Sequence, residues 1–169
     1  MVTTNCCVRW GKGESPRRSS GHSPQVTLIA RTGPMPELPE VETVVRGLRR
    51  HILNDTLRRV RFASLRISRA NLRGWKRQLT GHAVTSITRR GKFILVGLSD
   101  DHTMVIHLRM TGRLWVKPLP YRRGPYDRCV IELASGRALI LADTRQFARV
   151  QWVGPGRLDT HPSLEILGP

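Results

Sequence analysis

Apolar residues at Val41, Val44, Val45, Leu48 and Ile52 recur at the spacing that keeps one face of a helix dry, which predicts a helix over residues 39–53. Pro39 suits a first helical position, because the N–H it lacks would find no partner there. Glu40 and Glu42 in the first turn and Arg46, Arg49 and Arg50 further on oppose the helix dipole at both ends. After Asn54-Asp55 the apolar period shortens. Thr56 to Phe62, Ala83 to Thr88, Phe93 to Leu98, Thr103 to Leu108, Leu114 to Val116, Cys129 to Leu133, Ala138 to Ala142 and Phe147 to Val153 read as strands. Asp100-Asp101 and Ala134-Ser135-Gly136-Arg137 supply turns, and Leu72, Trp75 and Leu79 suggest a short helix closed by Gly81. One long helix ahead of many short strands predicts an α+β domain, an antiparallel β-sandwich or barrel.

Residues 1–34 differ in texture. Ser, Gly, Thr, Pro and Arg are frequent, Glu14 is the sole acid, and neither period persists, so the segment is expected to be a disordered leader or the result of a start assigned too early. An organelle transit peptide would share the Arg- and Ser-rich, acid-poor composition but would need an amphipathic helix. The globular text runs over residues 35–157, and residues 158–169 read as the start of a linker.

The charge balance narrows the partners. Lys and Arg number 29 against 12 Asp and Glu, a formal charge of +17, which predicts attraction to polyanions. Arginine dominates, and its planar fork grips phosphates bidentately, which favours nucleic acid over an acidic membrane. Cys6, Cys7 and Cys129 make neither a disulfide framework nor a zinc site with four protein ligands, and an intracellular setting fits them best. No apolar run approaches membrane-spanning length. His51, His82, His102 and His107 show no ligand spacing and are read as structural or solvent-facing.

The opening Met35-Pro36-Glu37-Leu38-Pro39-Glu40-Val41-Glu42-Thr43 resembles the amino terminus of bacterial formamidopyrimidine-DNA glycosylases, which remove oxidised purines such as 8-oxoguanine. Three later stretches resemble the same family in order: Arg89-Arg90-Gly91-Lys92-Phe93, His107-Leu108-Arg109-Met110-Thr111-Gly112 and Asp143-Thr144-Arg145-Gln146-Phe147. The resemblance covers residues 35–169 and implies a catalytic head carried on the long helix. With Met35 removed, Pro36 would present a secondary amine able to attack the sugar C1′ and form a Schiff base. Glu37 would protonate the ring oxygen or move the nucleophile's proton, and Glu40 would hold the turn through backbone N–H groups.

Lys92, by type an ordinary surface lysine, becomes in this light the group that reaches the phosphate beside the lesion and assists β-elimination. Met and Phe are by type more often core residues; the resemblance makes Met110, Arg145 and Phe147 the side chains that fill the gap left by an everted nucleotide, with Arg145 facing the orphaned cytosine. Tyr126 stands where many members carry a phosphate-contacting histidine, and Thr144 where a proline often follows the aspartate.

The implied activity is that of a bifunctional glycosylase and abasic-site lyase in base-excision repair, a monomer in the bacterial cytoplasm acting on double-stranded DNA that contains oxidised bases or abasic sites. The family's helix–two-turn–helix and zinc ribbon belong to a second half, so no cofactor is expected in this chain and its activity is expected to be impaired. Two alternatives stay open: a non-catalytic basic DNA-binding domain on the same fold, and a relative that prefers oxidised pyrimidines. Because Pro36 is a tertiary amide while residues 1–34 remain attached, Met35 is expected to be the true initiator.

Overall fold

A computed structural model of the chain describes residues 27–28, 38–63, 66 and 78–165. A two-residue strand β1 (Thr27–Leu28) is followed by helix α1 (Leu38–Ile52) and strand β2 (Leu57–Phe62). Seven strands follow: β3 (Val84–Arg90), β4 (Phe93–Leu98), β5 (Thr103–His107), β6 (Gly112–Pro118), β7 (Asp127–Leu133), β8 (Arg137–Asp143) and β9 (Arg149–Val153). One turn of helix, α2 (Pro162–Glu165), comes last. The strands form two antiparallel sheets, ordered β1-β6-β8-β7-β2 and β3-β4-β5-β9. This is the expected α+β sandwich.

The core lies between the sheets and under α1. Val41, Val44, Val45, Leu48 and Ile52 are all buried, so the apolar stripe of the helix is the face it turns inward. Against it pack inward residues of both sheets, among them Ile87, Ile94, Val96, Ile106, Leu114 and Leu141. Arg49 fixes the helix to β3, its Nε donating to the Ile87 carbonyl at 2.6 Å. Near the helix N-terminus Glu42 takes Nε of Arg89 at 2.7 Å and Nε of Arg46 at 3.2 Å, and these two guanidinium groups hold its carboxyl below the usual range.

The helix and strands follow the apolar periods to within a few residues. Leu79 is buried, and Gly81 takes a φ of 95°, a left-handed geometry suited to glycine. Leu72 and Trp75, the rest of the expected short helix, lie outside the described residues. One element was not expected. Thr27–Leu28, from the stretch read as a leader, pair with Val116 and Trp115 and add an edge strand beside β6. The backbone groups of these two residues meet the otherwise open edge of β6.

Because Leu48 is fully buried at the helix–sheet contact, Leu48→Ala should cost about 2–5 kcal/mol of unfolding free energy in urea titrations. Arg58→Ala, at an exposed position, should stay within about 0.5 kcal/mol.

Candidate nucleic-acid interface

The connections between the sheets gather the candidate residues at one end of the sandwich. The β5–β6 connection carries Met110 from the second sheet to the first, and the β8–β9 connection carries Arg145 and Phe147 back again. Gly112 is the register partner of Asp143, and His107 that of Arg149, so both crossings spring from the same edge. Phe93 pairs with His107, which brings the β3–β4 turn and Lys92 to this end. The Glu42–Arg89 pair brings the start of α1 there too. Tyr126 joins them, its carbonyl accepting from Asp143 N–H at 2.9 Å.

Asp143 holds the two crossings together. Its side chain is buried, and Oδ2 accepts from Ala148 N–H at 2.7 Å. Oδ1 accepts from Arg145 N–H at 3.1 Å and from the hydroxyl of Thr111, which lies in the other loop. Arg128 closes the arrangement from β7: its Nε donates to the Asp143 carbonyl at 2.7 Å, and further N–H groups reach the carbonyls of Pro125 and Thr144 at 3.3 and 3.5 Å. The Met110 loop is also drawn tight by Gly112, whose N–H donates to Leu108 at 3.0 Å. A Cβ on Gly112 would fall 2.4 Å from that same carbonyl oxygen, so only glycine fits.

Above this fixed base the tips stand out. Met110 is 44% exposed and Phe147 42%, unusual for large apolar groups that could have been buried. Arg109 and Gln146, the residues just before them, both occupy the left-handed region, with φ of 56° and 57°. Such backbone is costly for residues with a Cβ and persists only where surrounding bonds impose it. Arg145 lies over the Phe147 ring, 4.8 Å from its centroid, so the guanidinium and the ring project as one unit.

His107 was read from sequence as structural or solvent-facing, and the structure places it in this group. Its ring meets Phe93 edge-on at 4.6 Å, and Nδ1 accepts from Arg109 N–H at 3.0 Å. Burial, then the charges of Arg109 and Lys92, push its pKa down to about 4. The imidazole is therefore neutral at pH 7, with its proton on Nε2 as a donor. Its signal in the sequence was only its place two residues before Arg109, with no partner to mark it. His51, His82 and His102, read from sequence in the same way, lie at the far end: His82 and His102 flank Asp100 at 3.3 and 2.8 Å, and His51 is in the last turn of α1.

Of the remaining expected site residues, Lys92 is half-buried in the β3–β4 turn and Tyr126 is 54% exposed. Glu40 is exposed in the first turn of α1, and the turn it is expected to hold lies outside the described residues. Pro36 and Glu37 lie outside the described residues. Among the described residues no cluster of His, Cys, Asp or Glu is arranged to hold a metal ion, and no helix is long and apolar enough to cross a membrane. Burial raises the Cys129 thiol to about 12, so it is no nucleophile.

A β-sandwich that gathers basic turns and exposed apolar tips at one end, beside a helix start, defines the class of this domain and marks that end as the candidate interface. Comparisons with known proteins agree. Residues 35–150 match the family described as formamidopyrimidine-DNA glycosylase N-terminal domain, and the chain belongs to that family. The formamidopyrimidine-DNA glycosylase of Novosphingobium aromaticivorans is 41% identical over 140 residues, covering 80% of this chain and 49% of the relative. That of Moorella thermoacetica is 38% identical over 136 residues, covering 80% and 50%. The chain thus spans about half the length of the curated relatives it matches. Among solved structures, the Lactococcus lactis enzyme bound to DNA containing an abasic site superposes with a TM-score of 0.69 at 31% identity, over 73% of this chain and 47% of that one. The same enzyme's complex with DNA containing a formamidopyrimidine lesion gives 0.69 at 31% identity, over 72% and 46%.

Asp143→Ala should loosen both loops. Leaving the buried Ala148 N–H without an acceptor alone costs about 1–3 kcal/mol, and the loss of stability is read by thermal or urea denaturation. His107 supplies a pH signature. Its folded pKa, about 4, lies below the ordinary 6.5, so between these values the unfolded chain binds the extra proton. Stability should therefore fall as pH drops from 6.5 toward 4, and His107→Gln should flatten that part of the urea-midpoint profile.

Proposed function

We infer that this chain is the amino-terminal part of a base-excision-repair DNA glycosylase that removes oxidised purines and cleaves the resulting abasic site. The observation that carries the reading is the convergence of the Lys92 turn, the Met110 loop, the Arg145–Phe147 loop and the start of α1 at one end of the sandwich. The relatives' names and the DNA in the Lactococcus lactis complexes support the same substrate class.

In this reading Met110 and Phe147 enter the duplex as wedges, offsetting the few kcal/mol lost when a nucleotide leaves the stack. Arg145, already aligned with Phe147, meets the base left without a partner. Lys92 and the Nε2–H of His107 bind backbone phosphate beside the damaged nucleotide. The nitrogen of Pro36 attacks C1′ as the bond to the damaged base breaks, and Glu37 carries the proton that the nitrogen gives up. The C1′–O4′ bond then breaks, Glu37 giving the proton to the ring oxygen as the nitrogen lone pair moves toward C1′, and the iminium so formed makes the adjacent C2′ proton acidic. Its loss, followed by departure of the 3′ phosphate, is the β-elimination. The first step requires a free amine at Pro36, since an amide nitrogen there has its lone pair delocalised into the carbonyl.

A second reading, a non-catalytic DNA-binding domain, is favoured by the excess of positive charge, 29 Lys and Arg against 12 Asp and Glu, which needs no chemistry at Pro36. Borohydride trapping separates the two. A chain verified to begin at Pro36 should become covalently linked to an 8-oxoguanine duplex, and Pro36→Gly should reduce the yield. A chain with that verified terminus that binds the duplex yet yields no adduct is a binding domain. Faster excision from a thymine-glycol duplex would shift the substrate to oxidised pyrimidines.

A further inference from the structure

The outer face of the first sheet carries a cleft of about 540 Å³, of whose lining the chemistry above uses only Met110. Its origin is the period of β6. Leu114 and Val116 point inward and are buried, so Arg113, Trp115 and Lys117 share the opposite face. The connection from β6 to β7 folds over them and contributes Tyr121 and Tyr126. Trp115 and Tyr121 rest on a separate small cluster of Val130, Ala138 and Ile140, which supports the wall from below.

The wall is held in place before anything binds. The Tyr121 hydroxyl donates to Oδ2 of Asp127 at 2.5 Å, and the same oxygen accepts from Gly124 N–H at 2.7 Å. Burial and that carboxylate push the Tyr121 phenol up to about 12, so it stays a donor at any working pH. The ammonium of Lys117 stands 5.1 Å from the centroids of both Trp115 and Tyr121. Ring faces orient that charge without neutralising it. The acids in the lining are Asp127, engaged as above, and Asp143, whose oxygens are taken by Thr111, Arg145 and Ala148.

Aromatic faces interleaved with cations are what an unpaired nucleotide requires, a π-surface for the base and a positive charge for the phosphate. The cleft is also placed for it. Met110 and Thr144 form one of its walls, so it opens beside the loops directed at the duplex, and its volume lies in the range of small-ligand sites. We propose that this cleft is a second nucleic-acid site, in which the Lys117 ammonium moves off the Trp115 and Tyr121 faces to meet a phosphate together with Arg113, and an unpaired base stacks on the rings in its place. It extends the interface from the wedge loops across the outer face of the first sheet, and it does not depend on the chemistry at Pro36.

The test uses the whole chain and a fluorescently labelled, 5′-phosphorylated thymidine oligonucleotide containing 5-bromouracil. Irradiation should cross-link the oligonucleotide to Trp115 or Tyr121, located by peptide mass spectrometry. In fluorescence anisotropy Trp115→Leu should weaken binding about tenfold, Trp115→Tyr should restore most of it, and Lys117→Gln should make the dependence on salt shallower. Cross-links confined to Met110, Arg145 and Phe147 would overturn the proposal. So would unchanged affinity in a Trp115→Leu chain whose thermal midpoint matches the parent. Borohydride trapping does not enter either readout, so failure of the glycosylase reading and failure of this one are told apart.

Discussion

The buried carboxylate of Asp143 is the constraint on which the cationic end depends. Two loops leave different sheets, and each alone would be an exposed turn with a strained residue at its tip. Asp143 accepts from both, through Thr111 in one and through Arg145 and Ala148 in the other. A charged acceptor shielded from water holds its donors more strongly than a neutral one, and three of them fix the base of both loops. Arg128 adds the carbonyl side of the same arrangement. The left-handed backbone at Arg109 and Gln146 is tolerated because these bonds leave it no alternative.

The rest of the interface is assembled by pairs that are individually modest. The ion pair between Glu42 and Arg89 is partly exposed, and such a contact is worth little stability in water. Its value is positional, since it holds the start of the helix against the turn that carries Lys92. The large excess of positive charge acts at longer range than any of these contacts.

The helix and most strands were legible in the sequence because burial on one face imposes a period, and the period survives whatever the partner is. Phe93–Leu98 appears as expected, while β6 extends beyond Leu114 to Val116 at both ends. The order of the strands was not legible: alternation says which side is buried but not which strand lies alongside. The convergence of Lys92, Met110, Arg145 and Phe147 was reached through resemblance and not through physics. Asp143 was visible only as part of a loop motif, since nothing in a lone aspartate shows that its acceptors will be filled from another connection. His107 escaped for a related reason, because its burial, and then the charges of a loop and a turn on either side of it, depress its pKa only in the folded chain. The cleft over β6 could have been suspected from Arg113, Trp115 and Lys117 at alternate positions, but its lid comes from Tyr121 and Tyr126 on the far side of a connection.

Because the loops that carry Met110 and Phe147 cross between the sheets in opposite senses, the spacing of their roots is tied to the thickness of the hydrophobic core. Leu108 and Ala148, at the roots of the two crossings, are both buried in that core. Packing there thus serves as a gauge block for the two exposed tips. A change of side-chain volume deep between the sheets would shift Met110 relative to Phe147 without altering any exposed residue, so interior substitutions that look silent on the surface can still reset this end of the molecule.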